Sequence, residues 1–77
     1  MNRVLLEVQR TPRDTLRICL GESRGQVYVD MRNWHLDEST GKPEATCKGL
    51  TVWSQQLADV IAALSVAAQH VALHGPR

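Results

Sequence analysis

Hydrophobic and polar residues alternate over much of residues 3–51, a pattern typical of β-strands with one covered face. The alternation is most regular over residues 15–21 and 26–34, and it predicts two strands there. The side chains expected on their covered face are Leu16, Ile18, Leu20, Val27, Val29 and Met31. Residues 3–10 and 47–51 predict a first and a fourth strand, with Val4, Leu6 and Val8 of the first strand on one face.

Turn-forming residues separate these strands. Pro12 and Asp14 indicate a turn before the second strand. Gly25 predicts a short hairpin, because glycine adopts positive φ without steric cost. Residues 37–46 are polar, contain Gly41, and predict a loop before the fourth strand.

From residue 52 the spacing of the apolar residues changes from every second position to every third or fourth position, which predicts a helix over residues 52–74. Thr51 is the predicted N-cap of this helix. The apolar positions that recur at this spacing are Trp53, Leu57, Val60, Ile61, Leu64, Ala68 and Val71. Residues 1–77 are therefore expected to form one domain, with a sheet over about 3–51 and a helix over about 52–74.

The predicted helix is nearly uncharged. Asp59 carries the only formal side-chain charge between residues 49 and 76, whereas a helix packed on one sheet normally has a charged outer face. This composition favours a second contact with the same helix of another subunit, because a two-fold interface uses one patch twice. The alternative is an alanine-rich helix that is simply a good helix former. The residues expected in the homodimer interface are Trp53, Leu57, Val60, Ile61, Leu64 and Ala68.

The short length, 77 residues, allows only a small core, so a partner subunit, disulfides or a metal would be needed to support it. The two cysteines, Cys19 and Cys47, lack disulfide-framework spacing, and no signal peptide is evident. We expect a cytoplasmic protein with free thiols. Association with the nucleoid is compatible with this expectation. His70 and His74 share a helical face that could bind zinc, although a solvated helix end is the simpler interpretation.

No motif of an enzyme is present. The chain lacks a glycine-rich phosphate loop, a metal-ligand set and a nucleophile elbow. We therefore expect no catalytic residues, no cofactor and no bound metal. A membrane partner is not expected either, because the apolar run Val60–Leu64 is too short to span a bilayer.

The face opposite Val29 carries different chemistry. Arg17, Tyr28, Arg32 and Trp34 are all expected there. Single-stranded nucleic acid is bound by this combination, because cations follow the phosphates and aromatic rings stack on unpaired bases. Asp30 lies on the same face, so a solvated ion pair with an arginine is the alternative interpretation.

The segment from Leu16 to Leu50 resembles the core of the positive cofactor four family of transcriptional coactivators, in particular its short bacterial members. The resemblance is carried by the hairpin Arg24-Gly25, the strand running from Val29 to Trp34, and the segment Lys48-Gly49-Leu50-Thr51 that leads into the helix. It implies a curved four-stranded antiparallel sheet followed by one helix, assembled as a homodimer. It also implies sequence-nonspecific binding of single-stranded DNA, with RNA as the alternative ligand.

The resemblance also implies binding roles for individual residues. The positions that match basic or aromatic positions of the family, or flank its polar loop, are Arg17, Arg24, Arg32, Trp34, His35, Lys42 and Lys48. Four other positions depart from the family: Gly21, Gln26 and Cys47 stand where basic residues are frequent, and Ser23 where an aromatic residue is usual. These departures predict weak and strongly salt-sensitive binding of DNA in transcription regulation or DNA metabolism. The alternative is a homodimeric protein-interaction module that has kept the fold and lost most of its DNA affinity.

Overall fold

The computed structural model describes residues 2–75, which form four strands followed by one helix. The elements are β1 (Arg3–Gln9), β2 (Asp14–Ser23), β3 (Gln26–Leu36), β4 (Pro43–Trp53) and α1 (Ser54–His74). Each strand pairs antiparallel with the next, so the sheet order is β1-β2-β3-β4. The predicted α+β fold, a four-stranded antiparallel sheet with one C-terminal helix, is confirmed.

The hairpin between β2 and β3 has the shortest loop that antiparallel strands normally use. Ser23 pairs with Gln26, which leaves Arg24 and Gly25 in the loop with φ of 53° and 78°. Two successive positive φ angles are characteristic of a type I′ turn, whose twist matches that of the flanking strands. The positive φ expected of Gly25 is confirmed, and Arg24 shares it.

The two faces of the sheet differ in cover. The inner face is the one that carries Val29 and Val52, which pair across β3 and β4 and are only 7% and 3% exposed. They are the only buried hydrophobic residues in the described part of the chain. Helix α1 contacts β3 and β4, and none of its own residues is buried. The chain is 17 Å thin in its shortest dimension and has a very small core.

Strand β4 is longer than predicted. It begins at Pro43 and not at residue 47, because a tight loop closed by the Asp37 and Lys42 backbones brings the chain back at once. It ends at Trp53, so Trp53 and the predicted cap Thr51 belong to the strand. The helix begins at Ser54, and the side chain of Gln56 accepts a hydrogen bond of 3.2 Å from the backbone N–H of Trp53.

The prediction that Val4, Leu6 and Val8 share one face is wrong. Leu6 and Val8 pair with inner-face residues of β2, whereas Val4 pairs with Cys19 on the other face. The cause is an irregularity between Val4 and Leu6, where one extra residue reverses the direction of the side chains that precede it.

Candidate nucleic-acid interface

The outer face of the sheet is the one that carries Tyr28, Asp30, Arg32 and Trp34 of β3. Arg17 of β2 pairs directly with Arg32, so the two arginines predicted to share this face do so. Like charges placed directly opposite each other on a sheet are destabilising. Each arginine accordingly has a carboxylate partner on the outer face.

The partner of Arg17 is Glu7, which faces it across β1 and β2. Glu7 Oε2 lies 2.8 Å from Arg17 Nε. The guanidinium carbon of Arg17 also lies 4.1 Å from the centroid of the Trp34 ring, a cation–π arrangement. The guanidinium of Arg17 therefore covers one face of the Trp34 ring, and its ion pair with Glu7 stabilises this position. The indole Nε1 of Trp34 is buried and has no hydrogen-bond acceptor among the described residues.

The partner of Arg32 is Asp30, two positions away on the same strand. Arg32 Nη2 donates to Asp30 Oδ1 at 3.0 Å and Nε donates to Oδ2 at 3.1 Å. The third donor, Nη1, reaches the backbone oxygen of Thr46 on β4 at 2.9 Å. Hydrogen bonding to Asp30 raises the pKa of Arg32 above its ordinary value. The guanidinium is thus fixed in place and its charge is balanced.

Aromatic rings gather at the other end of the outer face. Tyr28 and Trp53 pair in register and meet edge to face, with ring centroids 5.2 Å apart. Tyr28 lies over Gly21, where an added Cβ would be 2.4 Å from the phenol ring. The Tyr28 ring therefore fills the space that a side chain at position 21 would need, the position at which a basic residue is expected in the family.

A groove of about 350 Å³ opens between these aromatic rings and Trp34. Its floor is formed by Cys19, Asp30 and Thr51. Burial raises the pKa of the Cys19 thiol, so its neutral form is favoured. The volume is at the lower end of that of small-molecule sites. The groove offers aromatic walls and a polar floor within the predicted nucleic-acid surface.

Two further predicted cations lie at opposite ends of β3. Arg24 is in the turn that precedes this strand, and Lys42 is in the loop that follows it. Neither takes part in an ion pair with the residues that the structure describes. Both charges are therefore unpaired within the described part of the chain and lie at the two ends of β3.

His35 and Lys48 are not brought to this surface. His35 follows Trp34 on β3 and points to the inner face, where its Nδ1 lies 2.9 Å from Asp14 Oδ1. Asn33 donates to the same oxygen at 3.0 Å, and Lys48 lines a groove beside these residues. Hydrogen bonds from Asn33, His35 and Thr11 hold the pKa of Asp14 well below its usual range.

Two outer-face features were missed from the sequence: the carboxylate of Glu7 and the ring of Trp53. Glu7 becomes significant only when the register places it opposite Arg17. The spacing of Trp53 from Leu57 predicts that it belongs to the apolar stripe of the helix, yet it ends β4 on the outer face. Both features depend on the strand register, which the composition of the sequence does not reveal.

The remaining residues predicted to form a homodimer interface lie on α1. Leu57 and Val60 are half-buried, whereas Ile61 and Leu64 are 55% and 57% exposed and Ala68 is also exposed. The expectation that no segment could span a membrane considered only the short run Val60–Leu64. The whole of α1 is long and apolar enough to cross a membrane, by length and composition alone. The single chain therefore exposes a long apolar helix.

The meander of four antiparallel strands, the single C-terminal helix and the outer face with its arginines and aromatic rings together define a class of small β-β-β-β-α proteins. Two crystal forms of a PC4 (positive cofactor four) homologue from Burkholderia pseudomallei K96243 share this structure. One superposes with a TM-score of 0.76 at 29% identity, covering 88% of this chain and 98% of that chain. The other gives 0.75 at 30% identity, covering 87% and 89%.

A bacteriophage T5 homologue of the eukaryotic transcription coactivator PC4, implicated in recombination-dependent DNA replication, has the same fold. Its TM-score is 0.74 at 18% identity, with 95% of this chain and 84% of that chain covered. No family model and no curated protein sequence matches the chain. On its similarity to the Burkholderia pseudomallei protein, the chain belongs to the PC4-like family.

Proposed function

We propose that this protein binds single-stranded DNA on the outer face of its sheet, as a homodimer and without enzymatic activity. The observation that carries the proposal is the presence of Trp34, Tyr28 and Trp53 beside two arginines on one face of a PC4-like fold. Stacking of unpaired bases on such rings contributes about 1–3 kcal/mol per base. The names of the two relatives, a homologue of a transcription coactivator and a phage protein implicated in DNA replication, support a role in transcription or DNA metabolism.

Binding should be weak, because the two arginines of the outer face are already ion-paired. Each phosphate contact with a single strand contributes a salt slope of about 0.7. Arg24 and Lys42 alone would give a slope of about 1.4 per protomer on this rule, and opening both ion pairs would raise it to about 2.8. These ion pairs revise the strong salt sensitivity predicted from the sequence: we expect weak binding with modest salt dependence, and much of its free energy should come from stacking.

A second copy of this chain is the best-supported partner for α1. The exposed apolar surface is not confined to the helix: the inner face of the sheet also exposes Leu50, Leu6 and Val27, at 55%, 48% and 41%. Apolar exposure on this scale is unusual for a monomer in water. A bilayer would cover the helix but not the sheet, whereas a second protomer can cover both.

The test is fluorescence anisotropy of a labelled 20-nucleotide single strand and its duplex as salt is raised from a low value. We expect preference for the single strand. Trp34→Ala should weaken binding by about 1–3 kcal/mol, the value of one stacked base. His35→Gln is the matched control, because the neighbouring side chain lies on the opposite face. Equal loss in both variants would contradict the assignment to the outer face.

The charges are tested by a second pair of variants. Arg32→Gln should weaken binding more than Lys48→Gln, because it leaves the Asp30 carboxylate without its cation on the outer face, whereas Lys48 lies with Asp14 and Asn33 on the inner face. Light scattering on each variant establishes that the homodimer is intact. Equal affinities for Arg32→Gln and the parent protein would remove Arg32 from the site.

A protein-interaction module is the second candidate function. The specific observation in its favour is that Glu7 and Asp30 neutralise both outer-face arginines within the protomer. In this case the protein would be a dimer that binds neither single nor double strands at low salt.

A further inference from the structure

The groove on the outer face is lined by one charged group, the carboxylate of Asp30, among the residues that the structure describes. Arg32 holds this carboxylate but does not line the groove. A phosphate would therefore meet a negative floor, whereas an uncharged base would not. The polarity of the groove favours the base end of a nucleotide.

The carboxylate of Asp30 can accept a further hydrogen bond. Oδ1 of Asp30 accepts from Arg32 Nε, from Arg32 Nη2 and, at 3.4 Å, from the hydroxyl of Thr51, whereas Oδ2 accepts only from Arg32 Nε among the described residues. An ionised carboxylate offers about four acceptor positions and no donor. The free position on Oδ2 can take one more N–H.

The walls suit a flat ring. Trp34 borders one end of the groove, and Tyr28 with Trp53 borders the other. A base that stacks on one of these rings turns its polar edge towards the floor. Carboxylates accept from the exocyclic amino group of cytosine, whereas thymine presents a carbonyl oxygen at the corresponding position.

We infer that this groove binds an unpaired base and selects cytosine over thymine through Asp30. The inference rests on the proposed function and refines it, because the surrounding surface would bind without sequence preference. One additional charge-assisted hydrogen bond, set against a carbonyl facing a carboxylate, should give about a tenfold preference for oligo-dC over oligo-dT.

The experiment compares labelled dT20, dC20 and a dC20 strand built from N4,N4-dimethylcytosine, at neutral pH and constant low salt. The dimethyl base has no amino hydrogens, so its affinity should fall to that of dT20 or lower. Asp30→Asn should bring the dC-to-dT ratio close to one, because a carboxamide can also donate. Thr51→Val keeps Asp30 and should keep the ratio.

Each outcome is decisive. Equal binding of dC20 and dT20, or an unchanged affinity for the dimethyl strand, would overturn the selection by Asp30 and leave the proposed function standing. Failure to bind any single strand at low salt would overturn both. If Asp30→Asn does not fold, the comparison of dC20 with its dimethyl analogue on the unaltered protein still decides.

Discussion

Glu7 should restrain the proposed DNA-binding surface, so its removal should strengthen binding. Its carboxylate lies 2.8 Å from Arg17, and the side chains are 50% and 18% exposed. A pair exposed to this degree contributes at most about 1 kcal/mol to stability. Glu7→Gln should therefore fold normally while leaving Arg17 free to meet a phosphate.

The gain can be worked out from counterion release. One added phosphate contact steepens the salt slope for a single strand by about 0.7. If Arg24 and Lys42 supply the contacts of the parent protein, its slope of about 1.4 per protomer becomes about 2.1. Because the contribution of that contact vanishes near 1 M salt, affinity at 0.1 M should rise by about fivefold.

Anisotropy titrations of one single strand at four or five salt concentrations measure both quantities. Glu22→Gln is the matched control: it removes the same charge from β2, but its register partner Val27 places it on the inner face. An unchanged slope in Glu7→Gln, or an equal gain in Glu22→Gln, would refute the view that the Glu7–Arg17 pair limits binding.

Three other predictions concern stability and assembly. Gly49→Ala should destabilise the fold by about 1–3 kcal/mol in urea denaturation, because its Cβ would lie 2.5 Å from the Met31 backbone oxygen; Gly21→Ala should cost less, since it meets the movable ring of Tyr28. Because hydrogen bonds lower the pKa of folded Asp14, its carboxylate stabilises the fold above the ordinary value of 3.8, and this stability is lost as pH falls through the folded pKa. The urea midpoints of the parent protein and Asp14→Asn should therefore converge in acid, and a constant difference would contradict this. Leu64→Glu places a charge on a side chain that is 57% exposed in the single chain, so light scattering should show loss of the proposed dimer.

The period-two pattern located β2 and β3 well, because each strand alternates apolar and polar side chains beside a covered face. The prediction for β3 began at its true first residue, Gln26, and ended two residues early. The beginning of β4 was missed, since Pro43 to Thr46 carry no apolar alternation. That segment is held by backbone pairing with the end of β3, and backbone pairing leaves no hydrophobic signal.

The candidate site was predicted in part. Arg17, Arg32 and Trp34 meet on one face, as their alternation indicated. Assigning His35 to the same surface conflicted with the strand itself, because consecutive residues point to opposite faces. The ion pair of Glu7 with Arg17 could not be predicted, because an irregularity in β1 sets which residues stand opposite each other.

Gly21 shows why a departure from the family pattern need not be a simple loss. A basic side chain at this position would have to displace the ring of Tyr28, which lies within 2.4 Å of the place of a Cβ. The glycine therefore replaces a basic side chain that is frequent in the family with an aromatic wall of the groove, and the pairing of both outer-face arginines likewise lowers the charge available to phosphates. Under the proposed function, these changes together should shift binding energy from the phosphates to the bases. A surface of this kind should depend less on salt and more on which bases it meets than one built from unpaired cations.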